Sequence, residues 1–307
     1  MRKLTEGRKM FLSIMAVFAS YAIIFILFED YDRKMMEPFN EASDWHLLLF
    51  SLVVMGGLGI LLWRYARRMD ERISREQAAK ENQMRRELTQ NIAHELKTPV
   101  ASILGYAETI LHTPSISDSQ KQMFTERTLT QAQRLATLLQ DISILNRMDF
   151  AQDVIQMGRV DVSLIMNDIV EETALAFRQK EMSLHNCLPQ GIIIHGNEQL
   201  IYSIFRNLTD NALNYAGYGT TVEVSATKDR EQWHITFKDN GAGIPQQHLP
   251  RIFERFYRID KSRSRTLGGT GLGLSIVKNA VRLHGGDIKI RSNQGEGTTL
   301  VITLKQM

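Results

Sequence analysis

The chain has 307 residues, a length that fits about two domains. Its composition, 43% hydrophobic and 23% charged, excludes a disordered protein, and the single Cys187 excludes a disulfide framework and any Cys/His cluster at zinc-ligand spacing. The net charge of +3 has its excess beside apolar runs and in one basic loop, which argues against a nucleic-acid surface.

Met10 to Phe28 is an uncharged run of 19 residues, and Leu47 to Leu62 is one of 16 between Trp45 and Trp63. Those tryptophans are 18 positions apart, roughly 27 Å of helix at ~1.5 Å per residue, close to the hydrocarbon thickness of a bilayer. Tryptophan at both ends suits the membrane interface. A cleaved signal peptide fits the first run less well, since the run is long and Glu29-Asp30 follows where a small-residue cleavage site belongs. Arg2, Lys3, Arg8 and Lys9 precede the first run, and Arg64, Arg67, Arg68 and Arg72 follow the second. The intervening Glu29–Trp45 is acidic. The positive-inside rule then places both ends in the cytoplasm, with a short extracytoplasmic loop at 29–45. Ser13, Ala16 and Ser20, and Gly56, Gly57 and Gly59, suit close helix packing in lipid.

Arg64 to Gln90 has no Gly or Pro and reads as a helix leaving the membrane, with Met69, Ile73, Met84 and Leu88 at broken heptad spacing. The helix continues through Asn91-Ile92-Ala93-His94-Glu95-Leu96-Lys97-Thr98-Pro99 to about His112. This stretch gathers an imidazole, a carboxylate, an amine and a hydroxyl on adjacent turns. A lone His on a polar helix is usually a solvated side chain; here a carboxylate stands beside it to take a proton, and Pro99 is expected to bend the helix just beyond. Thr113–Asp118 is turn chemistry, with Ser117 or Asp118 available as the next N-cap. Leu129, Leu135, Leu138, Leu139, Ile142, Leu145 and Met148 then form a three-four apolar stripe. A hairpin of two such helices cannot bury both stripes alone, so pairing with a second copy into a four-helix bundle is expected.

From about Gly158 helices and strands alternate: helices over Val162–Gln179, Gln199–Tyr215 and Ser275–Leu283, and strands over Ser183–Cys187, Gly191–His195, Thr221–Thr227, Gln232–Lys238, Asp287–Ser292 and Thr298–Leu304. Helices on one face of a mixed sheet make an α/β sandwich. Gly268–Leu274 follows a loop rather than a strand, so it is a poor dinucleotide fingerprint. Glycines before a helix N-terminus do let backbone N–H groups approach phosphates. Asn207 and Asn211, one turn apart, aim two amides the same way, where they can reach Mg²⁺ and phosphate oxygens. Asp239 at a strand end offers a carboxylate to the amino group of a purine.

Asn91–Pro99 resembles the H box of bacterial transmembrane sensor histidine kinases of two-component systems. Asn207–Ala212 resembles the N box, Asp239–Gly243 the first glycine box, Phe253–Arg258 the F box and Gly269–Leu274 the second glycine box, in the family's order over residues 84 to 307. The resemblance implies the Bergerat-type ATP-binding sandwich at 157–307 and a dimerisation and phosphotransfer hairpin at 84–150. Before them stand a cytoplasmic N-terminus at 1–9, transmembrane helices at 10–28 and 46–63, and a helical linker at 64–83. It further implies that His94 accepts phosphate from ATP, that Glu95 takes its ring proton, and that Thr98 positions water to dephosphorylate the partner. Asn211 would hold Mg²⁺. Asn207, Tyr215, Asp239, Gly241, Gly243, Arg258, Gly269, Gly271, Leu272 and Gly273 would line the ATP site, with Arg258 reaching the γ-phosphate. Arg251, Arg255, Lys261, Arg263 and Arg265 read as charges on a mobile loop. Gyrase-type ATPases carry Glu where Asn207 stands, and an amide cannot activate water, which favours transfer over hydrolysis.

The sequence departs from the family at Asn214, where Lys is common, and at Asn197, where Asp is usual and a cap is affected. The signalling linker common before the H box is absent, because Arg64–Gln90 is too short for it. No receiver domain is expected after the kinase core, and a separate response regulator is the expected acceptor. The expected setting is a homodimer in the bacterial inner membrane. A catalytically silent ATP-binding scaffold is the rival reading.

Overall fold

The computed structural model describes residues 41–150, 155–260 and 269–306, together with Met15, Ala19, Ile23 and Ile26; the side chains of 41–48, 50, 77, 80, 81, 84, 85 and 150 are not described. Two units are distinguished, 1–87 and 88–307. Among the described residues no helix is long and apolar enough to cross a membrane. The first expected span, 10–28, lies outside the described residues apart from those four positions. The second, 46–63, is helical, and Leu52, Val53, Leu58, Ile60 and Leu61 on it are exposed.

Helix α1 covers Glu41–His112 and contains Pro99. Proline removes the N–H that would bond to the Glu95 carbonyl, yet the helix continues through it and Pro99 itself is buried. The Thr98 and Ser102 hydroxyls donate to the carbonyls one turn back, His94 at 3.4 Å and Thr98 at 3.1 Å. Helix α2 covers Asp118–Phe150. Its cap is Ser117: the Ser117 Oγ accepts from the Gln120 N–H at 3.3 Å and the Gln120 Oε1 accepts from the Ser117 N–H at 3.1 Å, a reciprocal capping box. Tyr106 stacks on Phe124 across the hairpin with ring centroids 5.7 Å apart.

The α/β half of the second unit contains β1 (Gly158–Asp161), α3 (Val162–Gln179), β2 (Ser183–Cys187), β3 (Ile193–Gly196), α4 (Glu198–Tyr215), β4 (Thr221–Asp229), β5 (Gln232–Asp239), α5 (Gly273–Leu283), β6 (Asp287–Asn293) and β7 (Gly297–Lys305). The five-stranded sheet has the order β2-β4-β5-β7-β6, parallel only at β2–β4. An antiparallel β1–β3 pair stands apart; β1 has no counterpart among the expected strands, since Gly158–Asp161 is too short to show an alternation. Period-two burial puts Val222, Val224, Ile235, Phe237, Leu300 and Ile302 in the core with Ile204, Phe205, Ile276 and Val277 of α4 and α5. Asp161 caps α3 by accepting from the Ser163 and Leu164 N–H groups. Asn197 caps α4 from the Leu200 N–H at 3.0 Å, and its amide N–H₂ also donates to the Gln156 carbonyl, a bond that an Asp there could not make.

The apolar stripe of α2 is divided. Leu138, Leu145 and Met148 join the core cluster of the α/β half, while Leu129 and Leu139 are exposed.

Candidate active site

A cleft of about 1920 Å³ opens between α4, the end of β5, the segment around Arg258, the turn before α5 and the side of α2. Its walls include Asn207, Asn211, Asn214 and Tyr215 from α4, Asp239 and Gly243 from the end of β5, and Gly269, Gly271 and Gly273. These expected positions, separated by up to 66 residues of sequence, come together because α4 and α5 lie side by side over β5 and β7.

The polar wall residues are held in different ways. The Asn207 amide N–H₂ donates to the Ser203 carbonyl at 2.8 Å, which fixes the amide's rotation. The opposite end leaves no room on α5: a Cβ at Gly273 would stand 2.5 Å from Asn207 Oδ1. Among the described residues Asn211 Nδ2 has no hydrogen-bond partner although it is buried, an arrangement that costs about 1–3 kcal/mol. Asp239 Oδ1 accepts from the Gly241 N–H at 2.9 Å and the Thr298 N–H at 3.3 Å. Burial pushes the Asp239 carboxyl above its ordinary value, and those two backbone bonds oppose the rise. Tyr215 is likewise pushed up by burial, against the pull of Arg258 and Arg134.

The second glycine turn is tied to the F-box segment. Phe256 takes a positive φ of 62°, unusual for a bulky residue, and its N–H donates to the Gly271 carbonyl at 2.8 Å. Gly271 itself has φ 74°, and a Cβ there would press on the Phe256 backbone at 3.0 Å. Leu272 differs from the expected binding residue: its side chain is fully buried in the core, and only its backbone faces the turn, donating to Thr270 Oγ1 at 3.2 Å.

Arg258 lies on the wall of the cleft. It pairs with Glu95, Nη2 to Oε2 at 3.0 Å, with Arg134 3.7 Å from the same oxygen. The Arg258 side chain is 6% exposed, and a guanidinium so enclosed requires an anion, which Glu95 supplies. His94, beside it, is exposed. Of the other basic residues in the loop, Arg251 pairs with Glu254 and lies over the Tyr257 ring, and Arg255 pairs with Asp149 at 2.9 Å. Lys261, Arg263 and Arg265 lie outside the described residues.

Three participants escaped the motif reading: Arg134, Asp149 and Asp141. Asp141 is buried on α2 and accepts from the Thr270 hydroxyl at 2.8 Å. Its signal was an acidic residue set among the apolar positions of the α2 stripe. Burial pushes its carboxyl from 3.8 up to about 6, opposed by Thr270 and reinforced by Asp210.

Among the described residues no group of three or more His, Cys, Asp or Glu is placed to hold a metal. The cleft offers amide oxygens instead, and these fit Mg²⁺, which usually binds through one or two protein groups with phosphate oxygens and water completing its shell.

Residues 196–307 match the family described as "Histidine kinase-, DNA gyrase B-, and HSP90-like ATPase", and residues 84–150 match the "His Kinase A (phospho-acceptor) domain". The sensor-like histidine kinase SenX3 of Mycolicibacterium smegmatis is 35% identical over 222 residues, covering 72% of this chain and 58% of the relative. The sensor histidine kinase WalK of Bacillus subtilis is 32% identical over 227 residues, covering 73% of this chain and 37% of the relative. The chain thus spans about half the length of the curated relatives it matches. Among solved structures, the Acinetobacter baumannii histidine kinase AdeS superposes with a TM-score of 0.57 at 21% identity, covering 69% of this chain and 98% of that one. The histidine kinase ThkA in complex with the response regulator protein TrrA gives 0.57 at 17% identity, covering 78% of this chain and 66% of that one. Both agree in fold.

Proposed function

Because the chain belongs to the two-component sensor histidine kinases, we propose that it is an ATP-dependent protein-histidine kinase that phosphorylates its own His94 and passes the phosphoryl group to an Asp of a separate response regulator. The observation that carries this reading is the direct bond between Arg258 on the wall of the nucleotide cleft and Glu95, the neighbour of His94. A ring nitrogen of His94 attacks the γ-phosphorus of ATP as the bond from that phosphorus to the bridging oxygen breaks. ADP leaves, and the ring proton passes to Glu95. Transfer of this kind needs positioning and charge neutralisation more than covalent help from the protein. Asp239 would read the purine, Asn207, Tyr215 and the glycine backbones would border the nucleotide, and Asn211 would hold Mg²⁺, whose chemistry is to neutralise phosphate charge.

The exposed apolar residues of the hairpin, Leu104, Leu111, Leu129 and Leu139 among them, support a homodimer built by pairing two hairpins. The apolar runs at 10–28 and 46–63, with their basic flanks, support a two-pass protein of the bacterial inner membrane with both ends cytoplasmic. Thr98, one turn from His94, is the candidate for a second activity, dephosphorylation of the regulator.

Incubation with γ-³²P-ATP and Mg²⁺ is expected to give an acid-labile, alkali-stable label that disappears in His94→Ala and in Asn211→Ala. Full labelling in His94→Ala would overturn the assignment. A chain that binds ATP and never labels would be the silent scaffold instead.

A further inference from the structure

Leu138, Asp141, Leu145 and Met148 are spaced three, four and three residues apart on α2, so they share one face. The three apolar members are 2–3% exposed and lie in one core cluster with Ile276 and Val277 of α5. A carboxyl group inside this stripe, 9% exposed, would be costly without a partner. Its partner is the Thr270 hydroxyl, itself 8% exposed, which donates to Asp141 Oδ2 at 2.8 Å and accepts from the Leu272 N–H at 3.2 Å. One hydroxyl therefore joins the hairpin to the second glycine turn and shapes that turn internally.

The contacts continue from there. Gly271, next to Thr270, accepts from the Phe256 N–H, and Arg258, two residues beyond Phe256, closes on Glu95. The path leaves the hairpin at Asp141 on α2 and returns to it at Glu95 on α1. Glu95 Oε2 is occupied by the Arg258 guanidinium at 3.0 Å, with Arg134 3.7 Å from the same oxygen. It has to lose Arg258 before it can take the proton of His94.

We propose that Asp141 is a positioning residue for the kinase reaction: through Thr270 it seats the second glycine turn on the hairpin, in a resting arrangement that keeps Arg258 on Glu95. This rests on the kinase reading above. Separation of α2 from the turn breaks the Asp141–Thr270 bond, frees the segment that carries Arg258 and releases Glu95 for catalysis. The nucleotide turn is thereby sensitive to movement of the hairpin without any contact between Asp141 and the transferred phosphate.

The test uses the full chain in detergent, with Thr270→Val, Thr270→Ser and the double variant Asp141→Leu, Thr270→Val. Valine keeps the shape of threonine and leaves the carboxylate buried and unbonded, so amide exchange over residues 134–148 is expected to speed up about tenfold. The initial rate of His94 labelling at saturating ATP rises. Serine keeps both at the wild-type values. The double variant, with both polar groups replaced by apolar ones, returns exchange toward the wild-type rate. Wild-type exchange in Thr270→Val, or equal disturbance by serine and valine, would overturn the bond as the seat of the turn. Faster exchange with unchanged or slower labelling would overturn the resting arrangement. If the wild type takes up no label the kinase reading fails, and with it the positioning role.

Discussion

Two buried aspartates at opposite walls of the cleft are held in different ways. Asp239 and Asp141 are both 9% exposed, and burial pushes both carboxyl groups up. Asp239 is fixed by two backbone N–H groups of its own α/β half. Asp141 is fixed by one hydroxyl that belongs to a different element from its own. The first carboxylate is part of the fold and persists whatever the hairpin does; the second keeps its partner only while α2 lies against the turn before α5. The cores differ in the same sense. The α/β half buries Phe205, Phe237 and Ile302 completely or nearly so, whereas the hairpin leaves Leu104, Leu129 and Leu139 more than half exposed. One region buries its apolar face within the single chain, and the other leaves part of its apolar face uncovered.

The largest expected effect is on the α/β half. Phe237→Ala removes a ring that is 1% exposed at the centre of the sheet, and about 4 kcal/mol of stability should go with it. Denaturant unfolding followed by hydrogen exchange should show the α/β half opening while the helices of the hairpin stay protected. Simultaneous loss of both would mean that the two regions fold as one cooperative unit.

Next comes the pH dependence of Asp141. Its folded value, about 6, is above the ordinary 3.8, so the folded state binds the extra proton in between. Stability therefore rises as pH falls from above 6 toward 4, and the cost of the buried charge, at most about 3 kcal/mol, is present in full at higher pH. Asp210 and Asp239 are pushed in the same direction, so the useful quantity is the wild type minus Asp141→Asn. Asparagine still accepts from Thr270 and does not titrate. The difference in thermal stability between the two proteins should depend on pH in the range 4 to 7, and a flat difference would refute the shift. Smaller again is Asp239→Asn: it leaves the backbone bonds to Oδ1 available and removes the charge that the proposed function sets against a purine amino group. A loss of ATP affinity on the order of a hundredfold is expected by calorimetry, with the fold intact.

The parts of this arrangement that could be read in the sequence are those in which local pattern and role coincide. The alternation of β4, β5 and β7 and the three-four spacing of α3, α4 and α5 give the elements to within a few residues, because each element buries one face of its own. Asn207, Asn211, Asp239 and the glycines are recognisable because each lies in a short motif. The partner of Arg258 cannot be read from the sequence, since an ion pair 163 residues apart leaves no local trace. Asp141 leaves no signal of its partner for a related reason: an Asp in an apolar stripe reads as a solvated interruption until a second element is known to cover it. A helix-breaking residue tolerated inside a helix is decided by tertiary packing, which here buries Pro99.

The smallest effect tests whether the hairpin turn belongs to the partly uncovered region or merely adjoins it. The capping box of Ser117 and Gln120 satisfies two groups at the start of α2 by purely local bonds, and Ser117→Ala should cost about 1 kcal/mol. The turn is exposed and lies at the far end of α2 from Asp141, more than twenty residues and over six helical turns away. If α2 responds as a rigid rod, the loss should appear only as faster exchange at 118–122, with exchange at 134–148 and labelling of His94 unaltered. If fraying at the cap also loosens 134–148, then α2 is marginal along its whole length. Both the turn and the Asp141 contact would then report the same property, a helix whose order depends on what is packed against it.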